Sequence, residues 1–163
     1  MKRSQSISHS VLTVLLLSVF CVGCGRREPI VLEDHDVQFR VASYEPYGDF
    51  MEAKIADTEE VIYIDSEPVL TGPDFYEIYP GVNDYGEAYV GFRVWPKAGS
   101  RLKTYTKAYV DRSMVIMLDG VPVRSMSISS PFGESFIIDT DSRAKSFEWY
   151  ELVTGRSMDT VQR

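Results

Sequence analysis

Apolar and polar positions divide this chain into one continuous apolar block near the N-terminus and a body of short alternating runs. Val11 to Val22 is apolar apart from Thr13 and Ser18, and Lys2 and Arg3 precede it. Downstream the period changes to two. From Asp36 to Val41, the side chains of Val37, Phe39 and Val41 share one face and Gln38 and Arg40 the other, which predicts a half-buried strand. Tyr44 to Asp57 holds Pro46, Gly48 and several charges and reads as an irregular connection. Val61-Ile62-Tyr63-Ile64 is rich in β-branched and aromatic residues and predicts a strand. Pro68 and Gly72-Pro73 then punctuate the chain. Phe75 to Tyr79 reads as a short strand or a turn of helix, and Pro80-Gly81 with Asn83-Asp84-Tyr85-Gly86 as a turn. Ala88 to Trp95 alternates again, with Ala88, Val90, Phe92 and Val94 on one face.

Pro96 suits the first turn of a helix, where its missing N–H is no loss. Leu102, Tyr105, Tyr109 and Val110 fall on one side of that helix, away from Lys103 and Lys107. Asp119-Gly120 separates the run Met114 to Leu118 from the run Val121 to Ile128. An Asp-Gly pair between β-prone runs predicts a two-residue hairpin turn with positive φ. Ser129 to Gly133 reads as a loop and Ser135 to Ile138 as a strand. Thr140 or Asp141 can cap a last helix through Leu152, with Ala144, Phe147 and Tyr150 inward and Gly155 as its stop. Mostly strands with two helices predict an α+β domain, an antiparallel-rich sheet carrying both helices on one face.

The N-terminal block belongs to a different part of the protein. Its 12 residues fit the apolar core of a signal peptide and fall short of the roughly 20 that span a bilayer as a helix. The segment Cys21-Val22-Gly23-Cys24 resembles the lipobox of bacterial lipoproteins, in which a small residue precedes an invariant, diacylated cysteine. Gly23 and Cys24 match the pattern, and Cys21 stands where leucine is usual. The resemblance implies cleavage after Gly23 and lipid attachment at Cys24. Gly25, rather than aspartate, follows Cys24 and favours the outer membrane. The expected organisation is a signal peptide over 1–23, a tether over 24–35, the domain over 36–155 and a disordered tail over 156–163.

Charge and cysteines narrow the class further. Both cysteines lie in the signal segment, so the processed chain would keep Cys24 alone, with no disulfide and no cysteine metal cluster. Its fold must then rest on a hydrophobic core. Removing Lys2 and Arg3 leaves 15 basic and 24 acidic residues. Such a surface does not neutralise phosphates, and no nucleic-acid partner is expected.

The order of elements carries a second resemblance. Glu67-Pro68-Val69-Leu70-Thr71-Gly72-Pro73-Asp74 is followed by Val90 to Pro96, then by Met117-Leu118-Asp119-Gly120-Val121-Pro122-Val123, then by Ser130-Pro131-Phe132-Gly133. In this order and spacing, Tyr63 to Gly155 resembles the head of the first periplasmic domain of SecD and SecDF, membrane components that assist the Sec translocon. The resemblance implies a SecD-head-like fold and an extracytoplasmic setting. It carries no motor activity, because the sequence holds no counterpart of the family's transmembrane bundle or of its intramembrane acidic residue. In that family the head is proposed to contact emerging polypeptide, which makes unfolded polypeptide or Sec translocon components the expected partners, besides the membrane reached through the lipid.

Candidate chemistry is sparse. His35 lies between Asp34 and Asp36 and reads as a solvated turn, since a zinc site wants three or four ligands. The pairs Asp139 with Asp141 and Glu59 with Glu60 read as caps and loop residues, because glycosidase carboxylates must oppose each other across a cleft. Ser130 and Ser135 have no histidine in their segment. No cofactor, metal or enzymatic activity is expected. The ten tyrosines are the remaining signal. Tyr79, Tyr85 and Phe132 are the candidate polypeptide-binding residues, since aromatic rings serve well at interfaces. The expected role is a noncatalytic, lipid-anchored binding or accessory module of the cell envelope. The alternative is a structural envelope lipoprotein that acts through a fixed protein–protein complex.

Overall fold

The computed structural model describes Leu32 and residues 35–158. The signal segment, Cys24 and most of the tether therefore lie outside the described residues, as do residues 159–163 of the tail. The described chain forms eight strands and two helices. The strands are β1 (Val37–Ser43), β2 (Met51–Lys54), β3 (Val61–Thr71), β4 (Phe75–Val82), β5 (Ala88–Val94), β6 (Ser113–Leu118), β7 (Val121–Ser127) and β8 (Ser135–Thr140). Helix α1 spans Pro96–Lys107 and helix α2 spans Arg143–Thr154. All strand pairs are antiparallel.

The α+β class agrees with the alternation in the sequence, but the strands divide between two sheets. Five pair in the order β2-β3-β1-β6-β7 and three in the order β4-β5-β8. The main core lies between them. It joins Phe39 and Val41 of β1, Met114 and Ile116 of β6, Phe75 and Ile78 of β4, and Phe92 and Val94 of β5. Both helices feed the same core, α1 through Ala98 and Leu102 and α2 through Tyr150 and Val153.

The five-stranded sheet is buried on its second face too. Ala42, Ile55, Ile62, Ile64, Val115 and Met117 form a smaller core there. Two residues beyond the end of β2, Ala56 donates its N–H to the Pro122 carbonyl of β7 at 2.8 Å. That bond brings together the chain ends of the two edge strands. Burial on both faces explains why Ser113 to Leu118 is a continuous buried run instead of an alternating one.

Several elements differ from the sequence reading for definable reasons. Met51–Lys54 pairs with β3 inside the stretch read as irregular. Its side chains are mostly exposed, so it gives no apolar alternation. Strand β3 runs on through Pro68 because the ladder shifts register around Arg40, and such a bulge tolerates a missing N–H. Strand β4 likewise runs through Pro80-Gly81. The turn at Asn83 to Gly86 is present, with the Asn83 side chain accepting the N–H groups of Tyr85 and Glu87.

The buried side of α1 is Ala98, Gly99, Leu102 and Thr106. Tyr105 and Tyr109 reach only the rim of the core, and Val110 lies in the turn beyond the helix and is exposed. Helix α2 is capped by Ser142, whose side chain accepts the Lys145 N–H, because β8 continues through Thr140. Its buried side is Ser146, Tyr150, Val153 and Thr154, while Phe147 is half-buried and Ala144 exposed. A small residue at 146 lets the helix lie close to Pro80, with which Ser146 and Phe147 line a shared depression. Gly155 ends the helix at φ 67°.

The hairpin turn forms as its sequence dictates, with φ 51° at Asp119 and 81° at Gly120. Gly120→Val forces a β-branched side chain into the left-handed region although the space around it is open. The expected loss is about 1–3 kcal/mol, read from the urea midpoint, and an unchanged midpoint would contradict the strained-turn account.

Candidate functional site

The three-stranded sheet has two unequal faces. Its inner face carries Ile78, Val90, Phe92, Phe136 and Ile138, all buried in the main core. By alternation its outer face carries Glu77 and Tyr79 of β4, Tyr89 and Arg93 of β5, and Ile137 and Asp139 of β8. Two glycines shape this face. Tyr79 is paired with Gly91 and Gly81 with Tyr89, and each tyrosine ring covers the glycine of the neighbouring strand. A Cβ at Gly91 would lie 2.5 Å from the Tyr79 ring, and one at Gly81 would lie 2.4 Å from the Tyr89 ring. The rings meet edge to face at 6.2 Å. The Arg93 guanidinium sits 5.2 Å from the Tyr79 ring centre and bonds Glu77 at 2.7 Å. Its hydrogen bond and charge attraction to Glu77 raise the Arg93 pKa above its ordinary value. Ile137 remains 46 % exposed. Among the described residues, the result is an aromatic and apolar surface edged by Asp139, with the Arg93 cation already paired to Glu77.

The candidate aromatics named from the sequence do not form one surface. Tyr79 lies on this outer face. Tyr85 is at the tip of the β4–β5 turn and is 90 % exposed. Phe132 instead stacks on Phe136 of the inner face at 5.5 Å, and its N–H donates to the Thr106 hydroxyl at 3.0 Å. Tyr79 and Phe132 are thus on opposite sides of the same sheet. Tyr89 escaped the sequence reading, although its place opposite Gly81 could have been found from the β4–β5 register.

A second aromatic group, also not singled out from the sequence, gathers at the rim of the core. Tyr47, Phe50 and Tyr109 contact one another, and Tyr105 stacks on Tyr109 at 5.2 Å. Arg112 lies 4.4 Å from the Tyr47 ring centre. The Tyr105 hydroxyl donates to Asp65 at 2.6 Å. Burial, then the Asp65 carboxylate, pushes its pKa well above the usual phenol range, so it stays a donor. These rings converge from the loop after β1 and from α1 with the turn that follows it, far apart in sequence.

The ionisable candidates have structural partners. His35 Nδ1 lies 2.7 Å from Asp119 Oδ2, and Asp119 Oδ1 accepts the Asp36 N–H at 2.9 Å. The Asp36 N–H, then the His35 imidazole, holds the Asp119 carboxyl below the usual carboxylate range. This pair fastens the segment entering β1 to the β6–β7 turn. Glu59 pairs with Lys54 and Glu60 accepts from the Tyr44 hydroxyl at 3.4 Å. Asp139 is on the outer face of β8, Asp141 is exposed beyond it, and Ser130 and Ser135 are exposed. Among the described residues, no three histidine, cysteine or acidic side chains gather as metal ligands would.

An antiparallel α+β domain with a main core between two sheets, two helices and an open aromatic sheet face is the class that the fold defines. The family model of the SecDF P1 head subdomain matches residues 49–148, and the chain belongs to that family. The match begins upstream of Tyr63, where the sequence resemblance started, and ends inside α2, before Gly155. No curated protein matches the chain. Among solved structures, SecDF in its super-membrane-facing form is 15% identical with a TM-score of 0.54, over 76% of this chain and 19% of that one. A SecDF structure described as a membrane component that enhances protein export is 14% identical, also at 0.54, over 96% of this chain and 73% of that one. At these identities the likeness shows the fold. The chain spans about a fifth of the first of these two proteins. Among the described residues, no helix is long and apolar enough to cross a membrane.

Proposed function

We infer that this chain is a noncatalytic accessory module of protein export, working outside the cytoplasm and held to the membrane by a lipid on Cys24. The observation that carries this reading is the SecDF P1 head match across residues 49–148. In this reading the domain contacts exported polypeptide while it is still extended. The outer face of the three-stranded sheet supports that role. Tyr79, Tyr89 and Ile137 offer apolar area without a fixed pattern of donors, which suits contact with many sequences. Tyr85 at the adjacent turn extends it. Phe132 has the packing of a core residue and is assigned to stability.

Fluorescence anisotropy of the full-length protein with a labelled, unstructured peptide tests the reading. Tyr79→Ser combined with Tyr85→Ser is expected to weaken binding about tenfold, roughly 1.4 kcal/mol, with little change in melting temperature. Phe132→Ser should lower stability by about 2–3 kcal/mol and leave the affinity of the folded fraction unchanged. If the wild-type protein binds no unfolded peptide, polypeptide contact is excluded.

A further inference from the structure

The edges of the two sheets are unequally protected. An open edge displays unpaired N–H and C=O groups, and proteins blunt such edges with proline, short length or a covering segment. In the five-stranded sheet, β2 has only four residues, and β7 begins with Val121-Pro122, whose carbonyl takes the Ala56 N–H. In the three-stranded sheet, β4 contains Pro80. The register shows what that proline does. Asn83 donates its N–H to the Glu87 carbonyl on the β5 side, so by alternation Gly81, Tyr79 and Glu77 also face β5. Ile78, Pro80 and Val82 therefore turn their backbone groups away from the sheet, and Pro80 removes a donor from the free edge without costing a ladder bond.

Strand β8 has no such protection. The Glu134 carbonyl bonds the Val94 N–H at 3.0 Å, which fixes the phase of the β5–β8 ladder. Phe136, Ile138 and Thr140 bond to β5, and Ser135, Ile137 and Asp139 point their N–H and C=O groups outward. Among the described residues, the bond that reaches this edge from outside its sheet is from Arg124, which donates to the Asp139 carbonyl at 2.8 Å. Arg124 is itself steadied by the Trp149 ring, 5.4 Å away. It closes one end of the edge and leaves the Ser135 and Ile137 groups open.

We propose that the β8 edge is where extended polypeptide docks, adding a fourth strand to the β4-β5-β8 sheet. This rests on the polypeptide-contact reading above and specifies how it is achieved. The occupant is an unfolded segment rather than a second copy of this chain. A stable dimer buries about 1,200–2,000 Å² in total, and a six-residue edge with one end already capped offers far less. A short edge fits transient capture by main-chain hydrogen bonds, which read no sequence. Side chains of the added strand that fall on the outer face continue the row of Ile137, Gly91 and Tyr79. The edge thus supplies affinity for any extended chain, and the aromatic face adds apolar contact.

The test uses the full-length protein, a labelled peptide of about ten alternating valines and threonines, and the same peptide N-methylated at every residue. Ile137→Pro removes an outward N–H but no bond to β5, as Pro80 does on β4. It is expected to weaken binding by about tenfold or more, and by at least about threefold more than Ile137→Thr, which also loses apolar contact but keeps that N–H. N-methylation of every residue removes the donors of both peptide edges and should abolish binding. Full binding by a folded Ile137→Pro protein, or by the fully N-methylated peptide, overturns strand addition and leaves polypeptide contact standing. No binding by the wild type removes both. Should Ile137→Pro fail to fold, amide exchange of the wild type decides. Slowing of the Ser135, Ile137 and Asp139 amides on peptide addition supports the edge, and unchanged exchange at saturating peptide refutes it.

Discussion

Phe39→Ala is expected to destabilise the domain by about 3–5 kcal/mol, at the top of the range for truncating one buried side chain. Phe39 is fully buried in β1, the central strand of the five-stranded sheet. Its ring lies 5.4 Å from Phe75, 5.3 Å from Phe92 and 5.6 Å from Phe136. Those three rings come from β4, β5 and β8, every strand of the other sheet. Phe39 is therefore the bridge between the sheets. Rings in this tilted and edge-on geometry add about 0.5–1.5 kcal/mol per pair beyond their buried area. Collapse cannot refill the space, because Phe92 and Phe136 are already stacked at 5.3 Å and held in ladder register. Against a typical stability of about 5–15 kcal/mol, the variant should be partly unfolded at growth temperature. Urea titration of wild type and variant checks this. A loss under about 1 kcal/mol would mean that the two sheets do not depend on this contact.

Cys24→Ala is expected to abolish incorporation of labelled fatty acid and to move the protein entirely out of the membrane fraction, or to leave it unprocessed. The effect is all or none because diacylation supplies two acyl chains. Each buried methylene contributes about 0.8 kcal/mol, and one chain alone gives only marginal binding. With 24 acidic against 17 basic residues, the composition does not favour electrostatic attachment to an anionic lipid surface in its place. Seven residues, Gly25 to Val31, separate this cysteine from Leu32, which packs against the main core. At full extension the stretch from Cys24 to Leu32 reaches roughly 30 Å, so the proposed anchor keeps the domain close to the lipid. A Cys24→Ala protein that still takes up label and stays with membranes would end the lipoprotein reading. Cys21→Ala, by contrast, should be processed and anchored normally.

Strands with one polar face were legible from the sequence, since a period of two is imposed directly by the pleat. Val37, Phe39 and Val41, and Ala88 to Val94, announced their inward sides in this way. The Asp119-Gly120 turn was legible because its backbone conformation is a local property of two residues. Met51–Lys54 was not legible, because a mostly exposed strand held by backbone bonds leaves no apolar trace. Pro80 misled for the opposite reason: as local chemistry it signals a turn, and only the register shows its nitrogen facing a free edge.

The candidate site divides along the same line. Composition and motif order alone were enough to indicate an acidic α+β domain of the SecD-head type, and they offered its tyrosines as candidate contact residues. Which aromatics share a surface was decided by tertiary structure. Tyr79 and Phe132 look equivalent as residues in turn-rich segments, yet one covers Gly91 on the outer face and the other stacks on Phe136 inside. The division into two sheets and the exposure of the β8 edge were likewise set by non-local pairing. Periodicity tells a strand which of its faces is buried, but the partner it bonds, and whether its outer backbone groups meet another strand or water, depend on contacts between residues far apart in the chain.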